Sequence, residues 1–271
     1  MARAGPGALA RQIGGELERL WGVDPAGARG VLHVCSAARF AQGALRVLRI
    51  GPESPASERD RLALGAARAR ADWILATGRI LRAEPELTHA LHPSPARAAA
   101  LAAWRRDCVG RARPPRSAVL TRGAGLDPAH PLFAAREPVL LLVPRGCAGA
   151  LPRALRGRCE VAELAQPGIR GALAALAERT LRARPDAPTL LVEAGPATAA
   201  ALYRAPCRVD ELLLSVCEAA LAPEHGAGAL PPEPRLAALL GPPRFVSHSR
   251  EASGDWSFLR YRRDAEAGPS G

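Results

Sequence analysis

The sequence contains no lysine, so all 37 of its basic residues are arginines and the formal net charge is +11. Such a bias, in a chain rich in alanine, leucine, glycine and proline, is typical of a GC-rich gene and does not by itself indicate an anion-binding function. The arginines form no block of five or six, and aromatic residues make up only 4%. Because basic patches and stacking aromatic rings mark nucleic-acid binders, we expect no nucleic acid partner. The positive charge suits a phosphorylated small molecule equally well.

The six cysteines include no C-x-x-C pair, which argues against a zinc ribbon or a thioredoxin-type site. Cys35 and Cys217 lie in apolar runs, where cysteine behaves as a small buried hydrophobe, and this indicates a reducing compartment. The six histidines show no metal-ligand spacing, so we predict no metal. No apolar run reaches 18 residues and no signal-peptide core is present, so we expect no membrane contact. The predicted location is cytoplasmic, with the mitochondrial matrix as the alternative.

Short apolar runs alternate with helical segments along most of the chain. The run PVLLLVP at 138–144 is typical of a central parallel strand. The alternation predicts an α/β fold whose mostly parallel sheet has helices on both faces, closed by an antiparallel C-terminal hairpin near Gly254. Predicted strands cover 31–36, 45–50, 73–77, 117–121, 138–144, 159–164, 189–195 and 209–217. Predicted helices cover 9–22, 57–70, 95–105, 170–183 and 196–204.

The domain organisation predicted from these elements is simple. Residues 1–25 form an N-terminal helix and extension, residues 26–263 form one domain, and residues 264–271 form a disordered tail. The segment 222–243 is rich in proline and glycine, so we predict a loop there with at most one helical turn. Residues 1–56 carry no zinc motif and offer no room for a deaminase domain.

Four stretches, taken in order, carry a resemblance to a known family. They are SERDRLALGAARARADWILATGRILRAEPEL at 57–87, RPPRSAVLTRGAGLDPAHPLF at 113–133, LLVEAGPATAAALYRAPCRVDELLLSV at 190–216, and SFLRYRR at 257–263. Together they resemble the reductase domain of riboflavin biosynthesis, the C-terminal half of the bifunctional pyrimidine deaminase/reductase. The resemblance implies a three-layer, dihydrofolate-reductase-like fold. It also implies an NADPH-dependent reduction of a ribosylamino-pyrimidine phosphate to its ribitylamino form, and a homodimer.

The resemblance also implies where ligands bind. Small residues in a turn that opens a helix allow the backbone to approach a diphosphate, and the carboxyl ends of parallel strands share one edge of the sheet. The implied cofactor-binding residues are Thr77, Gly78, Arg79, Thr121, Arg122, Glu193, Ala194, Gly195, Pro196 and Thr198. The implied substrate-binding residues are Ser36, Arg82 and Glu84.

Three binding turns depart from the family pattern, at Ala38, at Thr77 and Arg79, and at Ala194. Further along, Glu218 and Ala222 stand where the family usually has a proline and a glycine. Ala38 occupies the position of an aspartate that lies near the substrate in the family, while Arg79 and Ala194 each replace a glycine. Arg79 either clamps a phosphate, for which its paired N–H donors are suited, or fills the phosphate pocket. Two functions therefore stay open at this stage: an NADPH-dependent reductase, and a diverged, non-catalytic member of the same fold that acts as a ligand-binding or interaction protein.

Overall fold

The computed structural model describes residues 6–22, 29–40, 43–51, 53–183 and 188–263. Within these ranges the strands are β1 Gly30–Arg39, β2 Leu45–Leu48, β3 Trp73–Thr77, β4 Arg116–Leu120, β5 Leu140–Pro144, β6 Glu160–Leu164, β7 Thr189–Val192, β8 Glu211–Cys217, β9 Gly226–Ala229, β10 Phe245–Glu251 and β11 Gly254–Arg262. The α-helices are α1 Pro6–Trp21, α2 Glu58–Arg70, α3 Gly78–Ala83, α4 Pro95–Asp107, α5 Arg153–Arg158, α6 Ile169–Ala183, α7 Pro196–Ala199 and α8 Glu233–Leu240.

The strands form a single sheet in the order β10-β11-β8-β1-β7-β3-β4-β5-β6, with β2 attached to β1 and β9 attached to β2. The strands from β8 to β6 pair in parallel, whereas β11 is antiparallel to both β8 and β10. The predicted mostly parallel sheet with a C-terminal antiparallel hairpin is therefore confirmed.

The central strand β7 is shorter than its neighbours. Its pairing ends at Val192, which lies opposite His33 of β1 and Leu75 of β3. Strands β1 and β3 continue to Arg39 and Thr77, so the sheet splits beyond Val192. This split lies at the carboxyl ends of parallel strands, where ligands of open α/β sheets bind.

Helices cover both faces of the sheet, and alternate residues of each strand point to opposite faces. On one face Ile74 of β3 packs in a core with Trp21 of α1 and Trp104 of α4. On the other face its neighbour Leu75 packs in a core with Leu176 of α6. All five side chains have at most 1% of their surface exposed, and the predicted three-layer arrangement is confirmed.

The segment 222–243 is not the loop that its composition predicted. It contains β9, which pairs with β2, and α8, whose Leu236 and Leu240 are buried. A proline in the first turn of a helix blocks no hydrogen bond, because the first N–H groups have no intrahelical partner. Pro234 in α8 is such a case. The helix predicted over 196–204 is also shorter, since α7 ends at Ala199 and a 3-10 turn follows.

Helix α1 packs against α4 and β10. The boundary proposed at residue 25 stays a prediction, because residues 23–28 lie outside the described part of the chain, as does the tail 264–271. No helix in the described ranges is both long enough and apolar enough to cross a membrane.

A buried ion triad joins α2, β8 and β11. Arg70 donates two hydrogen bonds to the Glu211 carboxylate, at 2.9 and 2.8 Å, and Arg260 donates a third at 2.9 Å. Arg260 also donates to the carbonyl oxygen of Gly22. Arg70 has 0% of its surface exposed and Glu211 4%, so the carboxylate is compensated by the two guanidinium groups rather than by water. Burial alone would raise the pKa of Glu211, but the two guanidinium groups outweigh it and lower that pKa.

Candidate functional site

A cavity of about 830 Å³ opens where the sheet splits, within the range typical of small-molecule sites. The residues that line it come from β1 and β2, from the loop after β2, from α2 and α3, from the segment after β7, and from β9. They include His33, Val34, Cys35, Ser36, Arg49, Ile50, Arg68, Thr77, Arg79, Glu84, Glu193, Ala194, Gly195, Pro196, Thr198 and Gly228. Nine of the thirteen site residues implied by the resemblance are thus brought together.

Gly195 borders open space. Its φ of −59° and ψ of 159° are accessible to any residue, and a Cβ added there would meet no atom within 4 Å. Gly228 differs, because a Cβ added there would lie 2.7 Å from Cγ of Pro196. The fold therefore requires a small residue at Gly228 but not at Gly195, where the empty space belongs to the cavity.

Glu193 binds another part of the protein rather than being free for a ligand. Its carboxylate accepts two hydrogen bonds from Arg68, at 2.8 and 2.7 Å, and Arg68 also donates to the carbonyl oxygen of Ala90 at 2.7 Å. Burial by itself would raise the pKa of Glu193, but the charge and hydrogen bonds of Arg68 outweigh burial and lower it. Both oxygens of Glu193 are used by Arg68, so its contribution to the cavity is to hold the turn that carries Gly195.

The Glu193–Arg68 ion pair predicts how acid affects the stability of the folded protein. A carboxylate whose pKa is lowered in the folded state contributes stability above its ordinary pKa and loses it as the pH falls through the folded value. We expect Glu193→Gln to be clearly less stable than the parent near pH 7, since Arg68 then keeps only a neutral partner. The difference should shrink towards about pH 4 and below. Urea unfolding of both proteins across this range measures it, and a difference independent of pH would contradict the ion pair.

Glu84 is a second carboxyl group on the cavity wall. Burial, followed by the negative charge of Glu193, raises its pKa, although Arg68 acts in the opposite direction. Its side chain has no hydrogen-bond or ion-pair partner within the described ranges. Glu84 is therefore a carboxyl group that retains its proton more readily than usual and that faces the cavity.

Arg79 lies on the wall of the cavity with an exposed side chain. No partner for its guanidinium group occurs among the residues that the structure describes. Thr77, two residues before it, accepts a hydrogen bond from the N–H of Ile80 at 3.3 Å and caps α3. Arg79 thus leaves the cavity open and offers a positive charge at its edge.

Four implied site residues lie outside the cavity. A Cβ added at Gly78 would lie 2.8 Å from Oγ1 of Thr121, and this same oxygen accepts a hydrogen bond from the N–H of Gly123 at 3.0 Å. Arg82 donates to the carbonyl oxygen of Ala124 at 3.4 Å, and Arg122 is exposed. The contacts of Gly78, Thr121 and Arg82 support the loop after β4.

Ser36 lines the cavity, but its hydroxyl group donates to the Asp60 carboxylate, 2.9 Å from both oxygens. Ala38, which replaces the family's aspartate, is completely buried in the core beneath α1. Strand β1 therefore supplies no carboxylate to the cavity.

Sequence reasoning missed His33 as a cavity residue. It is 2% exposed, and its Nδ1 lies 2.6 Å from the hydroxyl oxygen of Tyr203. The available signal was one polar residue in the apolar strand VLHVCS. Arg49 and Ile50, in the loop after β2, were missed as well; both are exposed at the cavity, and Ile50 has 62% of its surface exposed.

The sheet order, the split beyond β7 and the C-terminal hairpin define a dihydrofolate-reductase-like α/β fold. No model of a protein family and no curated protein matches this sequence.

Solved structures of pyrimidine reductases share the fold. A pyrimidine reductase-like protein from Corynebacterium diphtheriae is 17% identical, with a TM-score of 0.58 over 92% of this chain and 99% of that one. The Saccharomyces riboflavin biosynthesis reductase Rib7 is 15% identical, with a TM-score of 0.52 over 91% and 96%. A Thermotoga maritima protein, described as a deaminase and 5-amino-6-(5-phosphoribosylamino)uracil reductase, is 15% identical, with a TM-score of 0.53 over 88% and 57%. This chain thus spans little more than half the Thermotoga protein, and the likeness confirms the fold predicted by resemblance.

Proposed function

We propose that this chain is an NADPH-dependent reductase of a ribosylamino-pyrimidine phosphate or a similar heterocycle. The observation that carries the proposal is the cavity at the split of the sheet. Gly195 borders this cavity, and no protein atom fills the space next to it. The resemblance in sequence and the shared fold point to the same activity. NADPH when bound supplies a hydride, and the chain's residues bind, orient and provide protons.

The residues present fit a nucleotide cofactor. The backbone at Ala194 and Gly195 can be approached closely, because no side chain beyond a methyl group stands there. Arg79 offers an unpaired guanidinium group suited to a phosphate. Thr198 and Pro196 complete this wall of the cavity. The helix that follows contributes little, since α7 has only four residues and few aligned peptide dipoles.

Glu84 is the residue that we assign to proton transfer. In the proposed reaction the ribosylamine opens to an imine between the sugar C1 and the amino nitrogen. A hydride then adds to C1 and a proton to the nitrogen, so each turnover consumes one hydride and one proton. A carboxyl group with a raised pKa on the cavity wall holds a proton more readily than an ordinary carboxyl group, which suits it to act as the general acid.

This assignment predicts opposite effects of Glu84→Gln on stability and activity. Ionised Glu84 is disfavoured by burial and by Glu193, so the neutral amide should leave stability near pH 7 unchanged or higher. The rate of reduction should fall about 100-fold, a typical loss for one general acid. Thermal unfolding and single-turnover NADPH oxidation measure the two effects. An unchanged rate would remove Glu84 from the mechanism.

The proposed function is tested by titrating the purified chain with NADPH and with NADH while following cofactor fluorescence and thermal stability. Binding to the folded state must raise the melting temperature. We expect an upshift with NADPH, and oxidation of NADPH when 5-amino-6-(5-phosphoribosylamino)uracil is added. No upshift at millimolar cofactor would refute the reductase proposal.

A second candidate is favoured by one observation. Because Ala38 is sealed in the core, β1 contributes no acidic group, and a diverged protein that binds a ligand without converting it fits this feature. It predicts a thermal upshift with NADPH or with the substrate alone, and no NADPH oxidation when both are present.

A further inference from the structure

His33 is a buried polar side chain at the point where the sheet splits. It forms the last pair between β1 and β7, opposite Val192, and it lines the cavity although only 2% of its surface is exposed. A histidine at such a position needs hydrogen-bond partners for both ring nitrogens, because a buried polar group without a partner is destabilising.

Tyr203 provides the partner for one ring nitrogen. Its hydroxyl oxygen lies 2.6 Å from Nδ1 of His33, and the two rings meet edge to face with their centroids 5.7 Å apart. Within the described ranges this hydroxyl group has no other partner, so Nδ1 is the acceptor available to its proton. A neutral imidazole that accepts at Nδ1 carries its own proton on Nε2.

Burial keeps both groups in these protonation states. It lowers the pKa of His33 to about 4, so the ring is neutral near pH 7. Burial also raises the pKa of Tyr203 well above its ordinary value, so the phenol keeps its proton.

The other ring nitrogen, Nε2, has no protein partner among the described residues. It is not sealed inside the protein, unlike Nε2 of His89 and of His92, which are enclosed without a partner. The small surface that His33 exposes therefore faces the cavity that it lines. Tyr203 thus fixes a hydrogen-bond donor on the wall of the split.

We propose that His33, oriented by Tyr203, donates a hydrogen bond from Nε2 to a ring-borne carbonyl oxygen of the ligand bound in the split. This inference rests on the proposed function, which supplies two such oxygens: the carboxamide of the nicotinamide ring and a carbonyl group of the pyrimidine. His33 then helps to select a carbonyl-bearing ring and to orient it between β1 and β3.

The first test reads the proton position directly and needs no activity. Nitrogen-15 NMR of the histidine rings in the full chain near pH 7 should show His33 with its proton on Nε2. In Tyr203→Phe the signal should change to a mixture of both tautomers, since nothing then holds Nδ1 as an acceptor. A parent protein with the proton on Nδ1 would overturn the proposal.

The second test compares His33→Leu with His33→Gln, whose side-chain amide can donate from nearly the position of Nε2. We expect the leucine variant to weaken ligand binding about 5- to 10-fold, the scale of one neutral hydrogen bond, and the glutamine variant to recover part of the loss. The affinity for 2′-phospho-ADP-ribose, which lacks the nicotinamide ring, should not change in either variant. Thermal unfolding establishes that both variants are folded.

The outcomes distinguish the two carbonyl sources. A weaker affinity for NADPH identifies the nicotinamide carboxamide, whereas a raised KM for the pyrimidine substrate alone identifies the pyrimidine carbonyl. A folded leucine variant that matches the parent in both measurements would overturn the proposal. If the parent binds no NADPH, the reductase proposal fails separately. In that case millimolar uracil serves as the probe of the site. The inference stands if uracil shifts the NMR signal of the His33 Nε2–H group, and it fails if the signal does not move.

Discussion

Replacing Glu211 by alanine is expected to destabilise the protein by about 3–5 kcal/mol, the cost of breaking a buried ion pair by removing one partner. The substitution leaves the guanidinium groups of Arg70 and Arg260 buried without their shared carboxylate. A typical domain has only about 5–15 kcal/mol of total stability. The melting temperature should therefore fall on the order of 10 °C, and urea unfolding should give a correspondingly lower midpoint.

An exposed ion pair provides the matched control. Glu178 and Arg182 lie one turn apart on α6, with 64% and 75% of their side-chain surfaces exposed. Glu178→Ala removes the same number of atoms and the same charge, but it should cost less than about 1 kcal/mol. Equal losses in the two variants would show that the triad is not the source of the stability.

We expect Gly195→Val to raise the Kd for NADPH at least about 100-fold, which corresponds to a loss of roughly 3 kcal/mol of binding free energy. The valine side chain would project into the open space next to the turn, where we propose that the diphosphate of the cofactor binds. Folding should be unaffected, because the φ and ψ of Gly195 suit a β-branched residue and its Cβ meets no protein atom. Isothermal titration and thermal unfolding measure the two effects.

Gly149 is the control for this substitution, since a Cβ added there also meets no atom within 4 Å. It lies in a 3-10 turn before α5, away from the cavity. Gly149→Val should bind NADPH like the parent. If Gly195→Val also binds normally, the turn at 193–196 is not part of a cofactor site.

The parallel strands were predictable because each is a short, mainly apolar segment between helices or turns, and the strand within 138–144 is a continuous apolar run bounded by prolines. Strand β9 was not, since the sequence GAGA has little intrinsic preference for a strand. It forms because β2 supplies its hydrogen-bonding partner and because Gly228 lets it approach Pro196. Helix α8 was not predicted because the segment is rich in proline. A proline is compatible with the first turn of a helix but not with its interior, and the composition alone does not show which applies.

The site was predictable as a region but not in the roles of its residues. Strand ends and glycine-containing turns place Thr77 and Gly195 at one edge of the sheet. Nothing in the local sequence shows that Glu193 is paired with Arg68, which lies 125 positions earlier in the chain. The same holds for His33 and Tyr203, which are 170 positions apart and whose pairing exists only after the sheet has formed.

The central position of β7 also determines the order in which the molecule can be assembled. β7 joins β1 to β3, and β8 flanks the other side of β1, yet both enter the chain about 150 or more residues after β1. Until they are synthesised, only the C-terminal end of β1 has a partner, because Ala37–Arg39 pairs with β2. The rest of β1 has unpaired backbone groups on both edges, and such edges favour association with other chains. Pairings so distant in sequence also slow folding. The short strand beside which the cavity opens therefore makes the nascent chain depend on segments that are synthesised late. Chain ends placed before residue 189 should produce aggregating fragments.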